Sequence, residues 1–193
     1  MLVKRIAVMT SGGDSSGLNA AIRAVVRTGM EYDMEVYGVR QGYTGLINGD
    51  FELLTSVEVS GILQRGGTIL QTARNDEFRT AQGQRRALRR LNEKGVEAII
   101  VIGGNGSLTG ALALHKLGFQ TIGIPGSIDN DIYGTDMCIG VDTALNTILD
   151  ALDRLRDTAS SHQRAFLIEV MGRNCGYLAL MGSILGGAEI VVT

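Results

Sequence analysis

Strand-length apolar runs at 6–10, 35–39, 98–102, 121–124, 166–170 and 190–192 alternate with helix-length segments at 19–27, 85–94, 108–117, 144–156 and 177–185. Runs that are apolar on both faces belong inside a parallel sheet, and each return to a parallel neighbour needs a crossover, which a helix supplies. The expected fold is therefore α/β: a doubly wound, mostly parallel sheet layered between helices in a Rossmann-like three-layer arrangement, with the start of a second similar lobe. Residues 1–140 are expected to form the first lobe and residues 141–193 part of the second. The helical segment 144–156 bridges them, and the second lobe holds too few elements to close a core of its own.

Ligands of such sheets bind at the carboxyl ends of the strands. Four polar, glycine-bearing loops fall at those ends: Ser11-Gly12-Gly13-Asp14, Gly103-Gly104-Asn105-Gly106-Ser107, Gly126-Ser127-Ile128-Asp129-Asn130-Asp131 and Met171-Gly172-Arg173-Asn174-Cys175-Gly176. Glycines let backbone N–H groups approach phosphate oxygens, and a following helix directs its positive end at them. The first loop reads equally well as a strand-to-helix turn with an N-capping residue. A G-x-x-x-x-G-K-[ST] phosphate loop is absent, and Thr109 stands where the dinucleotide fingerprint needs its third glycine.

Composition narrows the ligand class. The 27 glycines come with a single proline and no Gly-X-Y period, so tight backbone positions are numerous and collagen is excluded. Net charge is −2, and arginine dominates the basic side, which suits bidentate recognition of small phosphates. Nothing points to nucleic acid. The basic cluster Arg85, Arg86, Arg89 and Arg90 lies on a helical stretch and reads as a solvated face. Cys138 and Cys175 have neither zinc-site nor disulfide-framework spacing. Without an 18-residue apolar span or a signal-peptide core, no membrane role is indicated and the expected location is cytoplasmic.

The third loop carries the sharpest chemistry. Asp129 and Asp131, with Ser127 ahead of them, place carboxylates two residues apart at a strand's end, where one can take a proton from a substrate hydroxyl while the other orients groups nearby. An Asx turn accounts for Asn130 and one of the acids without any chemistry. Phosphoryl transfer also needs cationic groups, and Arg74, Arg164 and Arg173 sit in polar stretches.

In order and spacing, Met9–Arg23, Gln64–Thr68, Ile102–Ser107, Pro125–Asp131, Asp153–Arg164 and Glu169–Arg173 resemble the motifs of the phosphofructokinase family, across nearly the whole chain. The resemblance implies an ATP-dependent kinase that phosphorylates the C1 hydroxyl of fructose 6-phosphate, with Mg2+ as cofactor, in a homo-oligomer that is a tetramer in the family. By the same resemblance Asp129 is the base, with Ser127 and Asp131 placing the sugar and the transferring phosphate. Gly12 holds a phosphate oxygen through its N–H, and Arg74 steadies the transferred group. Tyr43, Asn75 and the loop Gly104, Asn105, Gly106 and Ser107 line the ATP side. Met171, Gly172 and Arg173 contact the sugar phosphate, and Arg164 reaches the 6-phosphate bound in a neighbouring subunit.

Pyrophosphate-using members tend to carry Asp where this chain has Gly106 and Lys where it has Gly126, so the small residues here favour ATP. Two departures stand out. Asn105 replaces the family's metal-serving Asp, and an amide oxygen brings no charge to Mg2+, so metal affinity should fall. Family members also continue well beyond residue 193, so the chain is read either as a fragment of a longer protein or as a truncated relative that borrows the rest from another chain. Asn105 and the missing region together leave open a non-catalytic or fragmentary nucleotide- or sugar-phosphate-binding relative, and a pyrophosphate-dependent enzyme is a third reading. Arg23, Arg27 and Arg156 resemble effector-site arginines, but Ser56 stands where an arginine is common, and surface arginine is the preferred reading.

Overall fold

The computed structural model describes residues 3–193, which divide into two compact units, one up to Gly126 and one over Ser127–Thr193. In the first unit β1 (Arg5–Ser11), β2 (Glu35–Val39), β3 (Phe51–Leu54), β4 (Ala98–Gly103) and β5 (Gln120–Pro125) form one sheet of order β3-β2-β1-β4-β5. All neighbours are parallel except β2 and β3. The helices of this unit are α1 (Leu18–Glu31), α2 (Tyr43–Asn48), α3 (Ala81–Lys94) and α4 (Asn105–Lys116).

Alternation along β1 sorts the two sides of the sheet. Ala7 and Met9 belong to a core shared with Leu46, Ile47, Leu91 and Leu114 from α2, α3 and α4. Ile6 and Val8 belong to another, shared with Leu18, Ile22 and Val26 of α1 and with Val59, Ile62 and Leu70 of the segment after β3. Each large side chain fully buried this way contributes about 1.5–3 kcal/mol. The three-layer, mostly parallel arrangement is the one expected. On α3, Arg86 pairs with Glu77, and Arg89 and Arg90 both pair with Glu93, in keeping with a solvated face.

Strand order sets the location of any ligand. From β1 the chain moves outward to β2 in one direction and from β4 to β5 in the other, so the topological switch lies between β1 and β4. Their carboxyl ends are in register, Ser11 opposite Gly103.

The second unit contains α5 (Val141–His162) and α6 (Tyr177–Gly186). The helices approach closely because a Cβ on Gly182 would press on Ile148 and one on Gly186 on Leu152. Val141, Leu145, Leu178 and Cys138 form the small core. Burial pushes the Cys138 thiol above its ordinary pKa. Segments 166–170 and 190–192, expected as strands, are irregular. An apolar run becomes a strand only where a neighbour accepts its hydrogen bonds, and the described part of this unit offers none. Among the described residues no helix is long and apolar enough to cross a membrane.

Candidate nucleotide and phosphate site

At the switch point β4 runs almost directly into α4, with Gly104 alone between them as N-cap and no side-chain cap. The loop Gly104–Ser107 is thus mostly the first turn of a helix, whose leading N–H groups have no intrahelical acceptors. Leu108 donates the first such bond, to the Gly104 carbonyl at 3.0 Å. The other glycine loop differs from the capped turn considered for it. After β1 ends at Ser11, α1 starts only at Leu18, and its N-cap is Gly17 at φ +90° rather than a capping side chain.

The two loops meet at Ser107, which is buried. A Cβ built on Gly12, itself at φ +96°, would stand 3.2 Å from the Ser107 Oγ. A Cβ on Gly103 would collide with the Ser11 carbonyl and lie 2.8 Å from the same hydroxyl. Glycine is required there because the ends of β1 and β4 close on one another. Gly12, Gly13, Asn105 and Gly106 remain exposed around that junction.

Tyr43 braces the junction from behind. Its ring is buried and stacks on Phe78 with centroids 4.0 Å apart, and its hydroxyl donates to the Ser107 carbonyl at 2.6 Å. Burial holds the phenol well above its ordinary pKa, so it stays a donor at neutral pH. Space for the hydroxyl exists because residue 110 is glycine, where a Cβ would collide with the Tyr43 Oη. Gly110→Ala is therefore expected to force the ring and the first turn of α4 apart at a cost of about 1–3 kcal/mol, read as a lowered denaturation midpoint.

Asn75 accepts from the Phe78 N–H at 2.7 Å and donates to Thr44 Oγ1 at 3.2 Å, tying the segment after β3 to α2. Arg74 beside it is exposed. Sequence reasoning assigned no role to Asn19, which is buried on α1. Its Nδ2 donates to the Arg65 and Gly66 carbonyls at 3.0 and 3.3 Å, and its Oδ1 accepts from the Ile69 N–H at 2.8 Å. Thr10 adds a 2.7 Å hydroxyl contact to Thr68. The signal was available: Asn19 shares a helix face with Ile22 and Val26, where an unpaired amide would be costly.

In the second unit Ser127 and Asp129 are brought together, the Asp129 N–H donating to Ser127 Oγ at 3.3 Å. Asn130, at φ +52°, closes the loop: its Oδ1 accepts from the Cys138 N–H at 2.9 Å and its Nδ2 donates to the Asp136 carbonyl at 3.2 Å. The local turn belongs to Ser127, whose Oγ accepts from the N–H two residues on, whereas the partners of Asn130 lie six and eight residues ahead. The Asn130 side chain therefore clasps a longer loop than the expected Asx turn, with Asp129 half-buried and Asp131 exposed on either side. Arg164 follows α5, its N–H bonded to the Ala159 carbonyl. Met171, Gly172 and Arg173 are exposed in an irregular segment, with Gly172 at φ +140°. Of the arginines resembling effector ligands, Arg23 donates to the Val59 carbonyl at 2.5 Å and Arg156 to the Gly186 carbonyl at 3.4 Å, whereas Arg27 is exposed.

A doubly wound α/β unit with two glycine-bearing loops meeting at its switch point, one of them the first turn of a helix, has the layout of the α/β folds that take ligands at the carboxyl ends of their strands. Residues 5–193 match the phosphofructokinase family, to which the chain belongs. It is 56% identical to the ATP-dependent 6-phosphofructokinase of Thermotoga neapolitana, covering 98% of this chain and 60% of that protein. The chain thus spans about three-fifths of the length of the curated relatives it matches. Among solved structures, the phosphofructokinase of Pichia pastoris is similar at TM-score 0.93 and 43% identity, over 98% of this chain and 22% of that one. That of Saccharomyces cerevisiae gives TM-score 0.88 and 45% identity, over 94% and 28%.

Proposed function

We propose that this chain forms the nucleotide-binding part and the beginning of the sugar-phosphate-binding part of an ATP-dependent 6-phosphofructokinase. The enzyme moves the γ-phosphate of ATP to the C1 hydroxyl of fructose 6-phosphate, giving fructose 1,6-bisphosphate in cytoplasmic glycolysis. The observation that carries this reading is the switch-point junction, where Gly12 and the first turn of α4 flank buried Ser107, at a helix start whose leading N–H groups have no intrahelical acceptors and which suits phosphate oxygens.

The Gly12 N–H holds a phosphate oxygen, and Gly104, Asn105, Gly106 and Ser107 form the ATP side. Tyr43 acts from behind, by holding the Ser107 carbonyl, and Asn75 fixes the segment that presents Arg74 to the transferring phosphate. Asp129 takes the C1 hydroxyl proton as the oxygen attacks, and Ser127 and Asp131 orient sugar and phosphate. Arg173 offsets the growing charge while Met171 and Gly172 line the sugar phosphate, and Arg164 serves the 6-phosphate of a neighbouring subunit in a homotetramer.

The donor chemistry fits Mg2+. No cluster of three His, Cys, Asp or Glu side chains able to hold a metal exists among the described residues, which suits an ion bound mainly through nucleotide phosphates with few protein ligands. Asn105 supplies an amide oxygen at the first turn of α4. Asn105 and the nucleotide's phosphates would hold the ion, which would supply neutralisation of phosphate charge during transfer.

ATP is preferred over pyrophosphate because Gly106 opens onto free space, with nothing within 4 Å of a Cβ placed there. The test is a coupled assay of the purified chain with Mg2+, fructose 6-phosphate and either donor. Fructose 1,6-bisphosphate formed with ATP and not with pyrophosphate supports the reading. Turnover with pyrophosphate alone overturns the donor assignment, and bound nucleotide without product reassigns the chain as a binding relative.

A further inference from the structure

Asparagine followed by glycine is the dipeptide most open to attack by its own backbone, because the next residue has no side chain to shield its nitrogen. The chain contains two, Asn48-Gly49 and Asn105-Gly106. Their surroundings are opposite. The Gly49 N–H is donated to the Gly45 carbonyl at 2.7 Å, where it caps α2, and Gly49 packs against Arg90, a Cβ there lying 3.4 Å from its Cδ. The nitrogen that would attack is locked in a short hydrogen bond.

Gly106 is the second residue of α4, ahead of the first intrahelical bond, so its N–H has no acceptor within the helix. Asn105 and Gly106 are both exposed, and nothing crowds Gly106. Access for water and freedom of the nucleophile therefore coincide at this pair and not at the other.

We propose that Asn105-Gly106 is a self-modification site that converts residue 105 into an acid. The deprotonated Gly106 nitrogen attacks Asn105 Cγ; the N–Cγ bond forms, the Cγ–Nδ2 bond breaks and ammonia leaves, giving a five-membered succinimide. One water then opens the ring at either carbonyl, producing aspartate or isoaspartate. The net reaction consumes one water and releases one ammonia, with no oxidant or cofactor. The product carries an extra negative charge at the positive end of α4, where the helix dipole favours it. Resting on the proposed function, the aspartate product also strengthens the hold on Mg2+, since a charged oxygen replaces an amide oxygen.

The test is to age the purified full chain at mildly alkaline pH and follow its peptides by mass spectrometry. A gain of about 1 Da at Asn105, labelled in part by an isoaspartyl methyltransferase, with Asn48 unchanged, is the expected result. Gly106→Ala, whose added methyl meets open space, should reduce conversion at Asn105 to the background of the other asparagines. Retention of the Asn105 amide, equal conversion at Asn48, or undiminished conversion in Gly106→Ala overturns the proposal. None of these readouts depends on catalysis. A separate Mg2+ titration of ATP turnover before and after ageing tests the functional consequence, so failure of the kinase reading leaves the mass result standing.

Discussion

Asp129→Asn is expected to lower turnover with ATP and fructose 6-phosphate by about 10²–10⁴-fold, the range for loss of a general base, while nucleotide affinity stays the same. The substitution is a clean probe because the loop does not depend on the carboxylate. Its backbone is held by the Asp129 N–H on Ser127 Oγ and by Asn130, which bonds both the Cys138 N–H and the Asp136 carbonyl. An amide of the same shape leaves those bonds in place and removes only the capacity to accept a proton. The check is kcat and KM for both substrates, with nucleotide binding followed separately. A near-normal kcat would show that the proton leaves by another route, whereas weakened nucleotide binding would show that residue 129 shapes the site beyond its loop.

That loop also shows where local sequence was informative. Asn130 was readable as a side chain that bonds backbone within a loop, but its partners Asp136 and Cys138 lie six and eight residues on, so the clasp is longer than the Asx turn that local pattern suggested. The parallel strands were equally readable: Ile6–Val8, Ile99–Val101 and their neighbours are apolar on both faces, as a sheet covered on both sides demands. β3 was not, because its four residues, Phe51-Glu-Leu-Leu54, are too few to show a period. α2, at six residues, is short of two full turns and escaped for the same reason. The run at 166–170 misled in the opposite direction, since apolar content alone does not supply a hydrogen-bonding neighbour.

The convergence of the glycine loops lay beyond local pattern altogether. Neither loop alone reveals that β1 adjoins β4; strand order does, and order is a property of the whole sheet. Resemblance supplied the expectation that Gly12 and Ser107 share a site. The structure brings the two residues close together, through an approach of β1 and β4 at Gly103 that only a missing Cβ permits. Tyr43 is the instructive case. Expected on the nucleotide side, it lies buried beneath the first turn of α4, and its contribution to the junction runs through the Ser107 carbonyl.

Asn19→Ala is expected to be the most destabilising alanine substitution of a polar residue near the site, at about 2–4 kcal/mol, since a buried group left without a partner costs about 1–3 kcal/mol. Three groups lose their partner at once: the carbonyls of Arg65 and Gly66 and the N–H of Ile69. The two exposed carbonyl residues can turn to water, which keeps the total below three full penalties. At 2–4 °C per kcal/mol for a chain of this size, the melting temperature should fall by roughly 5–15 °C. The loss should also be local. Leu18, Ile22 and Val26 keep α1 on the sheet, so amide exchange should accelerate around Ile69 well before it does in β1 or β4. Asn19→Asp keeps the acceptor for Ile69 but sets a buried carboxylate oxygen against the Arg65 and Gly66 carbonyls, so it should cost at least as much as Asn19→Ala at neutral pH, with part of the loss recovered as pH falls and the acid is protonated. Uniform acceleration across the first unit would instead mean that Asn19 stabilises α1 as a whole, and that the segment around Thr68 is held by the Thr10 hydroxyl and the burial of Leu70.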